Sequence, residues 1–246
     1  MFIFSVKGIA LTASFRVPET HTFHQTLPLP PKTTIIGIIG AAKGLGLEEA
    51  YRYSDENNIL VGVSGRHMGM MKDLWNYRKI TGKERKYTEE DIKNRMHFSV
   101  LIREYLFNFE LMLFFGAANK QTAENLRESF YSPIFALTLG NSDDLLKVQT
   151  ISDVIEQSPA ECSFFEHTLI QGDLSAEYKP KIDLRTTPIT ETISAPQIFL
   201  LPTKFSFNGE ERRVAERKPF TFIGSPVELN RPVQAYTING VGVSLH

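Results

Sequence analysis

Hydrophobic and polar positions alternate over residues 2–17, with β-branched residues among them, which predicts a long first strand. Residues 18–31 follow with Pro18, Pro28, Pro30 and Pro31, and four prolines in so short a stretch predict an extended, stiff loop. Lys32, Thr33 and Thr34 then open a helix, IIGIIGAAKGLG, with Pro31 where a helix start tolerates proline and Thr33 as its expected cap. Gly37 and Gly40 give it a small-residue face for close approach to a sheet, and Gly44 and Gly46 end it. Residues 58–64 (NILVGVS) read as a second strand. From residue 65 to about 97 the chain turns polar and rich in Lys, Arg and Met, a long excursion between two hydrophobic strands that is partly helical over 88–95.

Residues 98–117 are apolar and aromatic throughout and predict a long strand or a hairpin. A second helix follows over 119–129 with Thr122 as its cap, then a fourth strand over 131–139. The order is β-α-β-(insert)-β-α-β, which makes the expected fold class α+β, a ferredoxin-like domain with a long insertion. Beyond a soft boundary near 145 come short strand-like pieces over 158–178 and 184–197. A hairpin turning at Asn208 and Gly209 and a final strand complete a smaller, mostly-β second half. The expected division is therefore 1–145, with the insert at about 66–97, and 146–246.

Composition narrows the classes. At 246 residues and 42% hydrophobic the chain can bury a sizeable core. Lys+Arg number 27 against Asp+Glu 28, so a chain gripping many phosphates alone is disfavoured unless its cations are concentrated. The single cysteine, Cys162, excludes an internal disulfide and any multi-cysteine zinc site, and suits a reducing cytoplasm. The N-terminus carries Lys7 inside its apolar run and does not read as a signal peptide. No stretch is long and apolar enough to predict a membrane span, and the expected location is cytoplasmic.

Catalytic motifs are sparse. His21 and His24 lie three apart in the proline-rich loop without further ligands at metal spacing, and neither a nucleophile elbow, a P-loop nor H-E-x-x-H occurs. No metal or cofactor is expected. NGVGVS near residue 242 lacks the following helix of a dinucleotide site, and fits a bulge or a close approach of RNA or another backbone equally well. The insert is the richest candidate. Arg66, His67, Lys72, Arg78, Lys79, Lys83, Arg85, Lys86, Lys93 and Arg95 surround Trp75, Tyr77 and Tyr87. Rings that stack bases interleaved with cations that hold phosphates suit single-stranded RNA, although Glu84, Glu89, Glu90 and Asp91 dilute the charge.

Three ordered segments add a resemblance. GIALTASFRVPETHTFHQTLPLPPKTTIIGIIGAAKGLG at 8–46, Arg103-Glu104-Tyr105-Leu106 opening a strand after a long insert, and SPIFALTLGNSDDL at 132–145 together resemble the Cas "five" family. These are RAMP proteins that cap the 5′ handle of the guide RNA (crRNA) in type I CRISPR Cascade complexes. The resemblance covers most of 8–145, and its look is nearer the type I-B branch. It implies that the insert is a thumb reaching over the guide at the handle–spacer junction. It also implies that Arg16, His21, His24, Lys32, Thr33 and Thr34 lie near the handle, where a helix N-terminus suits phosphate, and that Arg103 and Tyr105 bind RNA. The implied partners are crRNA, the Cascade backbone and large subunits, and target DNA indirectly through the complex, in antiviral defence without enzymatic activity.

Two other readings stand beside it. One is a metal-independent endoribonuclease of the type I-C kind, for which His67, Lys72 and Tyr77 lie close in sequence. The other is a scaffold that docks the large subunit through apolar surface at 199–201 or 220–223.

Overall fold

In the computed structural model the described residues are 1–20, 23–80, 87–182, 185, 193–209, 211–238 and 241–246. The chain begins with β1 (Phe2–Ala13), then β2 (Phe15–Arg16), β3 (Phe23–His24) and β4 (Thr26–Leu27), then α1 (Lys32–Lys43) and α2 (Leu47–Glu56). Next come β5 (Leu60–Arg66), β6 (Gly69–Ile80), α3 (Glu89–Arg95), β7 (Met96–Ala117) and α4 (Lys120–Tyr131). The second half is all strand among the described residues. It comprises β8 (Lys147–Ile151), β9 (Ile155–Glu156), β10 (Ala160–Phe165), β11 (Thr168–Gln171), β12 (Tyr178–Pro180), β13 (Gln197–Asn208), β14 (Glu211–Ile223), β15 (Val227–Ile238) and β16 (Val241–Val243).

A ten-stranded sheet runs β13-β14-β11-β5-β7-β1-β8, with β3 and β6 also on β7 and β9 on β1. Its centre is the antiparallel pair β1–β7, in register from Phe2 opposite Ala117 to Ala13 opposite Leu106. A second sheet of β10, β15 and β12, with β16 on β15, covers part of the first. The main core lies between the large sheet and the helices, where Phe4 stacks on Phe115 at 5.1 Å and Phe130 closes on Phe115 at 4.9 Å. Leu169, Leu201, Phe220 and Phe222 from the second half join this same core, so both halves share one interior. On the other face Ile3 and Phe114 pack against Tyr236, Ile238 and Val243.

Several expectations are corrected. The stretch 131–139 is not a strand: α4 runs to Tyr131, and the neighbour of β1 is β8. Pro133 lacks a ladder donor, and the N–H groups of Ile134 and Phe135 instead donate to Ala42 and Ala41 O, capping the end of α1. Gly44 closes that end in the left-handed region, at φ 72°. Thr33 does not cap α1. Pro31 stands at the N-cap, and its carbonyl accepts from Thr34 N at 2.9 Å and Ile35 N at 3.2 Å.

The residues after Gly46 form α2, a helix the hydrophobic pattern did not announce because LEEAYRYSDE is mostly polar. The small face of α1 therefore meets a helix rather than a sheet. A Cβ on Gly40 would stand 3.0 Å from Ala50, while one on Gly37 would meet nothing within 4 Å. In α4 the cap is Asn119, accepting from Gln121 N at 2.7 Å, and not Thr122. The backbone that Gly242 admits is the chain's own, since a Cβ there would lie 2.9 Å from Phe164 O.

Candidate nucleic-acid interface

The insert folds as an antiparallel ribbon. β6 pairs with the outer half of β7 from Gly69 opposite Phe107 to Ile80 opposite Met96. Thr88 caps the short α3 near its far end, accepting from Asp91 N at 3.1 Å. Alternation along β7 breaks at Asn108, whose φ is +46°. Phe109, Leu111 and Leu113 are buried on one side of it, Leu106 and Glu104 on the other, while Phe107 and Asn108 are both exposed. Asn tolerates the left-handed region, so one residue shifts the inward-facing parity exactly where the strand leaves the body.

Cross-strand partners share a face, which sorts the ribbon into two surfaces. One carries Met71, Asp73, Trp75, Tyr77 and Lys79 opposite Tyr105, Arg103, Leu101, Ser99 and His97. Here the Arg103 guanidinium lies 3.8 Å from the centroid of Trp75 and 5.9 Å from that of Tyr105, and donates to the Tyr105 hydroxyl at 3.2 Å. The guanidinium is thus held over the Trp75 ring and anchored at the Tyr105 hydroxyl, which fixes its orientation on this face. The other face carries Lys72, Leu74, Asn76 and Arg78 opposite Glu104, Ile102, Val100 and Phe98. Arg78 lies over Phe98 at 5.7 Å, and Leu74, Phe98 and Val100 are exposed.

At the base of the ribbon the proline-rich loop returns. Phe23 and His24 pair in parallel with Ile102 and Arg103. Lys72 Nζ lies 4.9 Å over the Phe23 ring and 3.8 Å from the buried Glu104, whose other oxygen accepts from Thr26 N at 3.2 Å. Glu104 thus fixes the loop and the ribbon to each other. Arg66 pairs with Glu110 at 3.5 Å. The His67 Nδ1 is buried with no partner among the described residues, and burial holds its pKa below the ordinary value.

Of the predicted residues the structure brings together Trp75, Arg103 and Tyr105 on one face, with Lys72 on the opposite face of the ribbon base, His24 paired beside Arg103, and Tyr77, Arg78 and Lys79 farther along the ribbon. Arg16 instead closes its own loop, with Nε donating to Thr20 O at 3.0 Å. Lys32, Thr33 and Thr34 sit apart at the start of α1, near Lys204 and Lys218 of the second half. His21, Lys83, Arg85 and Lys86 lie outside the described residues.

Phe23 and Phe98 belong to the site without having been singled out, and Glu104, known from the sequence only as part of a motif, is its buried anchor. Alternation over 96–107 would have found Phe98 as a ribbon position. The apolar surface foreseen at 220–223 is interior, with Phe220, Phe222 and Ile223 all buried, while at 199–201 Leu201 is buried and Leu200 is exposed. Among the described residues no group of three His, Cys, Asp or Glu could hold a metal ion, and no helix is long and apolar enough to cross a membrane.

No curated protein sequence matches the chain. Among solved structures, a chain of a "CRISPR RNA-guided surveillance complex" is similar at 15% identity and a TM-score of 0.53, with 94% of this chain and 91% of that one covered. A CRISPR protein from Archaeoglobus fulgidus aligns at 10% identity with a TM-score of 0.49, over 99% of this chain and 98% of that one. The first likeness establishes a sheet-dominated mixed α/β fold of the kind found in such complexes. The sequence model of the CRISPR-associated protein (Cas_Cas5) family matches residues 9–218, and the chain belongs to that family.

Proposed function

We propose that this chain is a non-catalytic RNA-binding subunit of a type I CRISPR effector complex. In this reading the body holds the 5′ handle of the crRNA and the β6–β7 ribbon is a thumb that shapes the handle–spacer junction. The backbone and large subunits are its protein partners, and target DNA meets it through the complex. The strand order β8-β1-β7-β5, with helices between, supports reading the body as the ferredoxin-like order. The functional division we adopt is that body with the β6–β7 ribbon over 69–107 as its thumb, ten residues beyond the expected end at 97, followed by a β-rich region.

The observation that carries the reading is the Arg103 guanidinium held between Trp75 and Tyr105 on a ribbon whose two faces are largely uncovered. Stacking platforms of this kind accept any base, while phosphates are held by neighbouring cations. The non-catalytic part is supported by register. Lys72 and Tyr77, two of the three side chains an endoribonuclease would need to converge with His67, stand on opposite faces of β6.

The test is to incubate the purified chain with a 5′-labelled CRISPR repeat RNA in EDTA and resolve binding and cleavage on paired gels. Retention without cleavage is expected. A discrete cut within the repeat, abolished by His67→Ala, His24→Ala or Tyr77→Ala, would replace this reading with the type I-C endoribonuclease.

A further inference from the structure

The second half carries a cation cluster that the ribbon does not explain. Lys204 and Glu216 are cross-strand partners in the β13–β14 hairpin, and Lys218 Nζ lies 3.6 Å from the Glu216 carboxylate. The Thr203 hydroxyl already donates to that carboxylate at 2.6 Å. α1 packs against β13, the strand that carries Lys204, and this puts Lys32 at the start of α1 within electrostatic reach of Lys218, Lys204, Glu216 and Asp55. Its pKa is lowered first by burial, which Asp55 opposes and the two lysines reinforce. The first turn of α1 has no acidic residue and no side-chain cap. Beside Lys32 the His246 ring is buried.

Along the same hairpin the Arg212 guanidinium lies 4.6 Å over the Phe205 ring. Arg212 and Phe207 also line an open groove of about 470 Å³ with Leu47, Glu48 and Gly209. Arg217 pairs with Glu19 at 3.0 Å and so ties the hairpin to the proline-rich loop. Farther along, Phe23 and His24 of that loop pair with the ribbon base.

We propose that Lys32, Lys204 and Lys218 form a second binding surface for the phosphodiester backbone of nucleic acid, separate from the ribbon. Three ammonium groups share two carboxylates, and an incoming phosphate supplies the missing counter-charge. Lysines act on phosphate as point charges, so the surface holds a strand without reading its sequence. The strand is either the guide RNA beyond the handle or the target DNA. This surface rests on the nucleic-acid reading above.

The experiment uses the full chain in filter binding with a 5′-labelled repeat RNA and, separately, a labelled mixed-sequence DNA duplex, from about 50 to 200 mM salt. The variants are Lys204→Gln/Lys218→Gln on the hairpin and Arg78→Gln/Lys79→Gln on the ribbon, with thermal unfolding as the folding control. The hairpin variant is expected to unfold like the wild type and to bind one probe more weakly, with a salt slope lower by about 1 per lysine lost. Loss on RNA assigns the guide, and loss on duplex assigns the target. Unchanged affinity and slope on both probes, with the ribbon variant impaired, would overturn the hairpin surface alone. A wild-type chain that binds neither probe would overturn it together with the function proposed above.

Discussion

The inner and outer halves of β7 are one strand of 22 residues put to opposite uses. Over Phe109–Ala117 every other side chain is buried against helices or the second sheet, and Phe114 and Phe115 are buried on opposite faces. Over Met96–Phe107 the strand has a partner on one edge for its whole length, yet His97, Phe98, Val100, Ile102 and Phe107 are all exposed. The backbone ladder sets where the ribbon goes, and on the function proposed above its side chains answer to the guide. A core position is chosen by packing, and a ribbon position by whatever lies against it.

That contrast can be broken in a graded way. The largest effect belongs to the core half. Phe115→Ala removes a ring stacked on Phe4 and Phe130, and should cost about 3–5 kcal/mol in denaturant unfolding. A loss under about 1 kcal/mol would mean that the inner half is not the structural half. Trp75→Ala should leave the unfolding midpoint nearly untouched while weakening RNA binding by about 1–3 kcal/mol, the range for one base stack. Equal losses of stability and affinity would make Trp75 a structural residue instead.

A pH series separates the halves differently. His246 is held at about 3 by burial, with Lys32 adding to the effect, against an ordinary value of 6.5. Because its folded pKa is the lower one, the unfolded chain binds the extra proton. The stability it contributes is complete above pH 6.5 and drains away as pH falls toward 3, by up to about 1.4 kcal/mol per pH unit. His246→Gln should flatten that slope in chemical denaturation at successive pH values, and an unaltered slope would assign the acid sensitivity elsewhere. The smallest effect is expected from Phe98→Ala on the ribbon, under about 0.5 kcal/mol in stability despite the size of the ring removed.

The sequence was most legible where periodicity and capping chemistry are local. The first strand, the helix from Lys32 to Gly44, the capped helix after Thr88 and the hairpin turning at Asn208 and Gly209 follow from neighbouring residues alone. It was least legible where partners are remote. Residues 131–139 have a strand's composition, but the Ile134 and Phe135 amides serve the far end of α1. In α2 the buried Ala50 and Tyr51 are hidden among charges, and their packing partners Phe205 and Phe207 come from the other end of the chain.

The site divides in the same manner. The mixture of aromatics and cations in the insert was visible, and its stacking of Arg103 between Trp75 and Tyr105 required the β6–β7 register. The lysines of the β13–β14 hairpin were invisible as companions of Lys32, because more than 170 residues separate them.

The uninterrupted pairing of β6 with β7 also limits how such an arm can evolve. Adding or deleting one residue in either strand would exchange the stacking face for the apolar face beyond the change. Lineages that lengthen or shorten the arm while keeping both surfaces must do so in matched steps of two residues per strand, or absorb the odd residue in a bulge. Arm length should therefore vary among relatives in discrete increments of about 6.6 Å, the rise of two strand residues.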